Sequence, residues 1–158
     1  MDDERDHIVA AYRRVIEAWN QRDADRFGAA FTDDGSSVGF DGSQMNGRTE
    51  ITLELRRIFA SHPTAAYVAK LREVRPLGSG VVLVRAVVGM IPPGKTALNP
   101  DVNAVQSVVL VSEGGEYRIA LLHNTPAAFH GRPHVSEQLT DELSEVMRSG
   151  RVVVAEET

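Results

Sequence analysis

The side chains best suited to acid–base chemistry in this sequence are His123 and Asp41. His123 alternates with Tyr117, Ile119 and Leu121 along an apolar stretch, so that face, if turned into a pocket, carries a partly buried imidazole tunable around neutrality. There it serves as a general acid or base; on the plainer reading it only hydrogen-bonds its neighbours. Asn124 follows directly, and because adjacent strand residues point to opposite faces, only one of the two faces inward. Asp41 precedes Gly42-Ser43, where a carboxylate either forms a turn or pairs with Arg48 or His123, separating acid and base roles. Arg48, at the start of a helical segment, either anchors a loop or binds substrate. Gln106 and Ser107 interrupt an apolar run from Val105 to Val111, and Gln106 is in phase with Ala104, Val108 and Leu110. Turned inward it is a polar group inside a pocket, and it must find a partner, since an unpaired buried amide costs about 1–3 kcal/mol.

An apolar pocket also needs walls. Trp19, the single tryptophan, lies on a helical apolar stripe with an N–H to offer, and Phe40, Met45, Phe59 and Met90 complete the set of expected lining residues. Each of these serves equally as ordinary core. Other chemistries lack their residues. There is no cysteine, hence no thiol nucleophile, disulfide or thiolate metal site. His130 and His134 are four apart, but Gly131 and Pro133 lie between them and break the helix that such a metal pair requires. No glycine-rich nucleotide motif and no nucleophile elbow occurs, so neither cofactor nor metal is expected.

The chain positions these residues within 158 amino acids, with 42% hydrophobic and 25% charged residues, a composition in the range of one globular domain spanning 1–158. Its formal net charge of −5 and lack of a basic run argue against nucleic acid and anionic membranes as partners. Met1-Asp-Asp-Glu is the opposite of a basic signal-peptide start, and a cytoplasmic location is expected. Residues 4–21 show helical spacing through Ile8, Ala11, Tyr12, Val15, Ile16 and Trp19. A short helix follows with Asp23 as N-cap, then a turn at 32–37, a brief strand at Val38 and Phe40, a loop over 41–47 and a helix over 48–61. From residue 66 the period becomes two, over 66–76, 81–91, 104–112 and 116–125. A last helix is predicted over 135–149, then an apolar tail, 151–158, that covers the core or a partner subunit. Helices followed by antiparallel strands predict an α+β fold, in which one strongly curved antiparallel sheet with helices on its concave face encloses a pocket.

Four segments carry a family resemblance. Ala18-Trp-Asn-Gln-Arg-Asp-Ala-Asp-Arg-Phe, Phe31-Thr-Asp-Asp-Gly and Asn46-Gly-Arg-Thr-Glu-Ile resemble the front half of a nuclear-transport-factor-2-like, or SnoaL-like, domain. Gly115-Glu-Tyr-Arg-Ile-Ala-Leu-Leu-His-Asn-Thr-Pro is similar to the final strand of the SgcJ/EcaC subgroup, to whose signature Asn124 and Thr125 belong. The resemblance covers about 5–126 and implies a cone-shaped cystatin-like roll, a homodimer paired through the sheet's convex face, and a setting in polyketide or enediyne biosynthesis. It also implies an exclusion. Steroid isomerases of this fold place a catalytic Asp, an oxyanion-hole Tyr and a protonated Asp at positions that fall here on Gly39, Val15, and Gln106 or Ser107. The resulting expectation is a pocket protein that binds or transforms a hydrophobic intermediate without a cofactor. The transforming reading uses proton transfer, cyclisation or hydration by His123 with Asp41 or Gln106. The alternatives are a non-catalytic binder and a dimeric interaction module.

Overall fold

In the computed structural model, which describes residues 2–156, the apolar stripe of the first segment lies on α1 (Asp2–Asn20) and packs against a sheet. α1 ends where Arg22 adopts a φ of 58°, and the Arg22 guanidinium donates to the Phe59 and His62 carbonyls, tying this corner to the next long helix. Asp23 caps α2 (Ala24–Ala29) by accepting the Arg26 N–H at 3.0 Å, as its position predicts. α3 (Arg48–Ser61) buries Ile51 and Leu55 and stops at an extended His62, the residue before Pro63.

The strands are β1 (Phe31–Val38), β2 (Gln44–Asn46), β3 (Ala66–Gly78), β4 (Val81–Ile91), β5 (Ala104–Glu113), β6 (Glu116–Pro126) and β7 (Val153–Ala155). They form one sheet in the order β2-β1-β6-β5-β4-β3-β7. The hairpins from β3 to β6 are antiparallel as expected, but β1 runs parallel to β6 and β7 parallel to β3, so the sheet is mixed rather than antiparallel. The expected turn at 32–37 is an irregularity within β1, where Phe31 pairs with Ile119 and the next pair is Ser36 with Leu121. Gly35 makes it possible, because a Cβ there would stand 2.6 Å from the Ile119 carbonyl oxygen. Within the expected loop, β2 pairs Met45 with Ser37. The edge strands β2 and β7 have three residues each, which leaves little open edge for unwanted pairing.

Two cores lie on opposite faces. On the inner face, α1, α2 and α3 pack with Val84, Ala86, Val108, Leu110 and Ile119. On the outer face α4 (Pro133–Arg148) sets Leu139, Leu143 and Val146 against Val68 and Val87. The apolar tail forms β7, burying Val153 beside β3; residues 157 and 158 lie outside the described residues.

An ion cluster ties α4 and β7 to β3. Lys70 meets Glu142 at 2.9 Å, and Arg72 bridges Glu142 and Glu156, the latter at 2.6 Å. The Arg72 hydrogen bond, assisted by Lys70, pulls the Glu142 carboxyl from 4.5 down to about 2. A carboxyl depressed in the folded state adds stability that is whole above its unfolded pKa and fades as pH falls through the folded one. The melting-temperature advantage of the wild type over Glu142→Gln is therefore expected to shrink as pH drops from about 4.5 toward about 2. An advantage constant across that interval in calorimetry would refute this role for the cluster.

Candidate functional site

Between α1, α3 and the inner face of the sheet lies an open cavity of about 560 Å³, within the range of small-molecule sites. Its floor is a directed chain of hydrogen bonds. The Tyr12 hydroxyl donates to Gln106 Oε1 at 2.6 Å, Gln106 Nε2 donates to Asn124 Oδ1 at 2.9 Å, and Asn124 Nδ2 donates to the Val38 carbonyl at 3.0 Å. The chain spans α1, β5, β6 and β1, and Gln106 is only 1% exposed. Burial pushes the Tyr12 hydroxyl far above the usual tyrosine range, so it keeps its proton.

One wall is aromatic. Trp19 meets Phe27, Phe59 and Tyr67 with ring centroids 6.0, 5.3 and 5.6 Å away. Its indole N–H donates to the Ala65 carbonyl at 2.8 Å, so the side chain offers the cavity its ring rather than the expected donor. Asn20 holds this corner by accepting the Tyr67 N–H and donating to the Tyr67 carbonyl. Burial pushes the Tyr67 hydroxyl up to about 12. The mouth is charged: Asp41, Glu50 and Glu54 line it with Arg57, which pairs with Glu54 at 2.8 Å. Asp41 accepts the Ser43 N–H at 2.9 Å, and this bond to the backbone holds its carboxyl below the ordinary range.

Of the residues expected at the site, Trp19, Phe40, Asp41, Met45, Met90, Gln106 and Asn124 lie around this cavity. His123 does not. In β6 the pairing advances from Leu110–Ile119 to Val109–Leu121, which leaves Ala120 as an extra residue. This bulge reverses the alternation, so Ile119, Leu122 and Asn124 are buried while His123 is exposed opposite Ser107. Of the roles open to Asp41, the structure therefore shows the turn, with its carboxylate on the Ser43 N–H, and not a pair with His123. Arg48 also lies outside the lining: it donates to the Phe31 carbonyl at 3.0 Å and pairs with Asp33 at 2.8 Å, anchoring α3 to β1. Phe59 supports Trp19 from behind rather than lining the cavity.

Several residues at the cavity or its floor are not among the sequence-based candidates: Tyr12, Tyr67, Leu122 and the carboxylates Glu50 and Glu54. Tyr12 had a signal, since a hydroxyl on a buried helical stripe requires a partner. Of the positions matched to steroid isomerases, Val15 is core and Gly39 lies at the mouth. No group of three metal-ligating side chains occurs among the described residues. A second depression of about 580 Å³ between α1, α2 and the β5–β6 turn is walled by exposed charges, including Arg14, Arg26 and Glu116.

A mixed α+β sheet with helices closing a cavity over its inner face defines the cystatin-like class of folds. A domain of unknown function with a cystatin-like fold from Nostoc punctiforme is similar over 94% of this chain and 99% of that one, with 22% identity and a TM-score of 0.76. Aln2 from a Streptomyces species is similar over 80% and 92% of the two chains, at 16% identity and a TM-score of 0.64. A ketosteroid isomerase-like protein from Erwinia carotovora atroseptica is similar over 75% and 92%, at 18% identity and a TM-score of 0.58. No curated protein matches the sequence. The family profile of the SnoaL-like domain matches residues 8–128, and the chain belongs to that family.

Replacing Gln106 with Leu strands the Tyr12 hydroxyl and one Asn124 oxygen in the interior. Urea denaturation is expected to show a loss of about 1–3 kcal/mol, partly recovered by adding Tyr12→Phe. Equal stability of Gln106→Leu and the wild type would refute the coupling.

Proposed function

We propose that this chain is a cytoplasmic small-molecule binding protein that holds a hydrophobic, polyketide-like intermediate of natural-product biosynthesis in the cavity beneath α1 and α3. The observation that carries this reading is the cavity's composition: an apolar, aromatic-walled space closed by a neutral floor in which Tyr12, Gln106 and Asn124 are already hydrogen-bonded to one another. The natural-product setting is supported by the resemblance of the last strand to the SgcJ/EcaC subgroup. Binding is favoured over turnover because His123, the residue proposed for proton transfer, is on the far face from Asp41. No side chain at the floor titrates near neutrality to replace it.

We further infer a homodimer formed through the outer face. Leu83, Val109 and Leu121 stand in one row across β4, β5 and β6 and are only half-buried, while α4 covers the neighbouring part of that face. Such a row is the surface a second sheet would cover.

Trp19 is the only tryptophan, so its fluorescence reports on the cavity directly. Titration with hydrophobic polyenes or aromatic polyketides is expected to give a saturable change that Met45→Arg weakens at least about tenfold and His123→Ala leaves unchanged. Absence of any response, or a response insensitive to Met45→Arg, would sink the binding reading. For the dimer, sedimentation is expected to show two copies for the wild type and one for Val109→Glu. A monomeric wild type at high concentration would rule out the interface.

A further inference from the structure

We propose that the cavity selects an uncharged ligand whose buried end is a hydrogen-bond acceptor, a ketone or ester oxygen, and that it rejects the corresponding carboxylate. This rests on reading the cavity as a binding site.

The selection follows from the direction of the floor's hydrogen bonds. Tyr12 has one hydroxyl proton, and it goes to Gln106 Oε1. That orients the Gln106 amide, whose Nε2 can then only donate, and it does so to Asn124 Oδ1. Asn124 is oriented in turn, with Nδ2 donating to the Val38 carbonyl. Each amide nitrogen carries two hydrogens and uses one in this chain. Gln106 and Asn124 both line the cavity with one N–H each still to give, while each side-chain oxygen already accepts one bond, and the Tyr67 hydroxyl lining the same space is a further donor. Neither amide can flip to offer an oxygen without breaking the whole chain back to Tyr12.

Charge excludes the acid form of such a ligand. The one cationic side chain lining the cavity among the described residues is Arg57, which is exposed at the mouth and paired with Glu54. Asp41 and Glu50 share that mouth, and Asp41 is held ionised by its bond to the Ser43 backbone. A carboxylate would pass these like charges and be buried at a floor with no counter-charge, which is costly. A pure hydrocarbon avoids that cost but leaves the two N–H groups unanswered in an apolar space. A neutral oxygen acceptor satisfies both conditions.

The test uses three probes with the same chain: octan-2-one, 1-chlorooctane and octanoate, titrated against Trp19 fluorescence in the wild type and Asn124→Leu. Octan-2-one is expected to bind up to about tenfold tighter than 1-chlorooctane, and octanoate at least about tenfold weaker than the ketone. Asn124→Leu is expected to erase the ketone's advantage while 1-chlorooctane still binds, which also shows that the variant is folded. Independently of any variant, octan-2-one, and not 1-chlorooctane, should move the side-chain amide proton signals of Gln106 and Asn124 in the wild type. Octanoate binding as tightly as the ketone, or ketone and 1-chlorooctane binding equally with no amide shift, would overturn the selectivity while leaving the cavity as a binding site. If no probe perturbs Trp19, the binding reading falls, and the selectivity with it.

Discussion

One phenolic proton orients the centre of this molecule. Tyr12 lies on the buried stripe of α1, where an apolar side chain would give a continuous core against β5 and β6. Its hydroxyl instead requires an acceptor, and the acceptor is Gln106, itself buried and in need of a partner. The requirement passes to Asn124 and ends at the backbone of β1. Helix and three strands are thus held in one mutual register by groups that cannot be left unpaired, each at a cost of about 1–3 kcal/mol. The same groups prevent the space beside them from closing as hydrocarbon core. The paired polar floor beneath the cavity thus begins at one buried hydroxyl.

The bulge at Ala120 decides which side chain the floor receives. Without the extra residue, the face carrying Ile119 would continue through Leu121 to His123, and the cavity would end in an imidazole. With it, Leu122 and Asn124 turn inward and the floor is an amide. A bulge also increases local twist and bends its strand, which suits a sheet that curves around a cavity. A single inserted residue therefore moves the site from a titratable group to a neutral one.

That insertion marks where the sequence is legible. Alternation in β5 runs unbroken from Ala104 to Leu110, so the inward phase of Gln106 can be read by counting. The same count through β6 misplaces His123, because Ala120 looks like any other strand residue and only the partner strand shows that it is extra. Helices α1 and α3 follow from their spacing, and Asp23 from its capping chemistry. The Asp33-Asp34-Gly35 stretch has turn chemistry yet sits inside β1, since its pairing partner is some ninety residues distant and local propensity does not carry that information. The short strand β7 is hidden for the same reason: only contact with β3 makes a strand of the Val-rich tail. Glu50 and Glu54 read as the solvated face of a helix, and it is the position of α3 over the cavity that turns them toward its mouth.

The division of charge across the fold bears on what the cavity can do. Ion pairs that stabilise the structure, Lys70 and Arg72 with Glu142 and Glu156, are on the outer face, away from the cavity. Inside, charged side chains stop at the mouth, and the depth of the cavity holds the amides of Gln106 and Asn124 and the Tyr67 phenol, whose hydroxyl burial pushes up to about 12. A site that moves protons needs a group whose two charge states are both accessible near neutrality. This floor has none, yet its amides are pinned in one orientation by a chain ending at a fixed backbone carbonyl, and such pinning lowers the ordering cost of a directional hydrogen bond to a bound oxygen. Under the binding reading proposed above, that rigidity serves recognition of a neutral ligand.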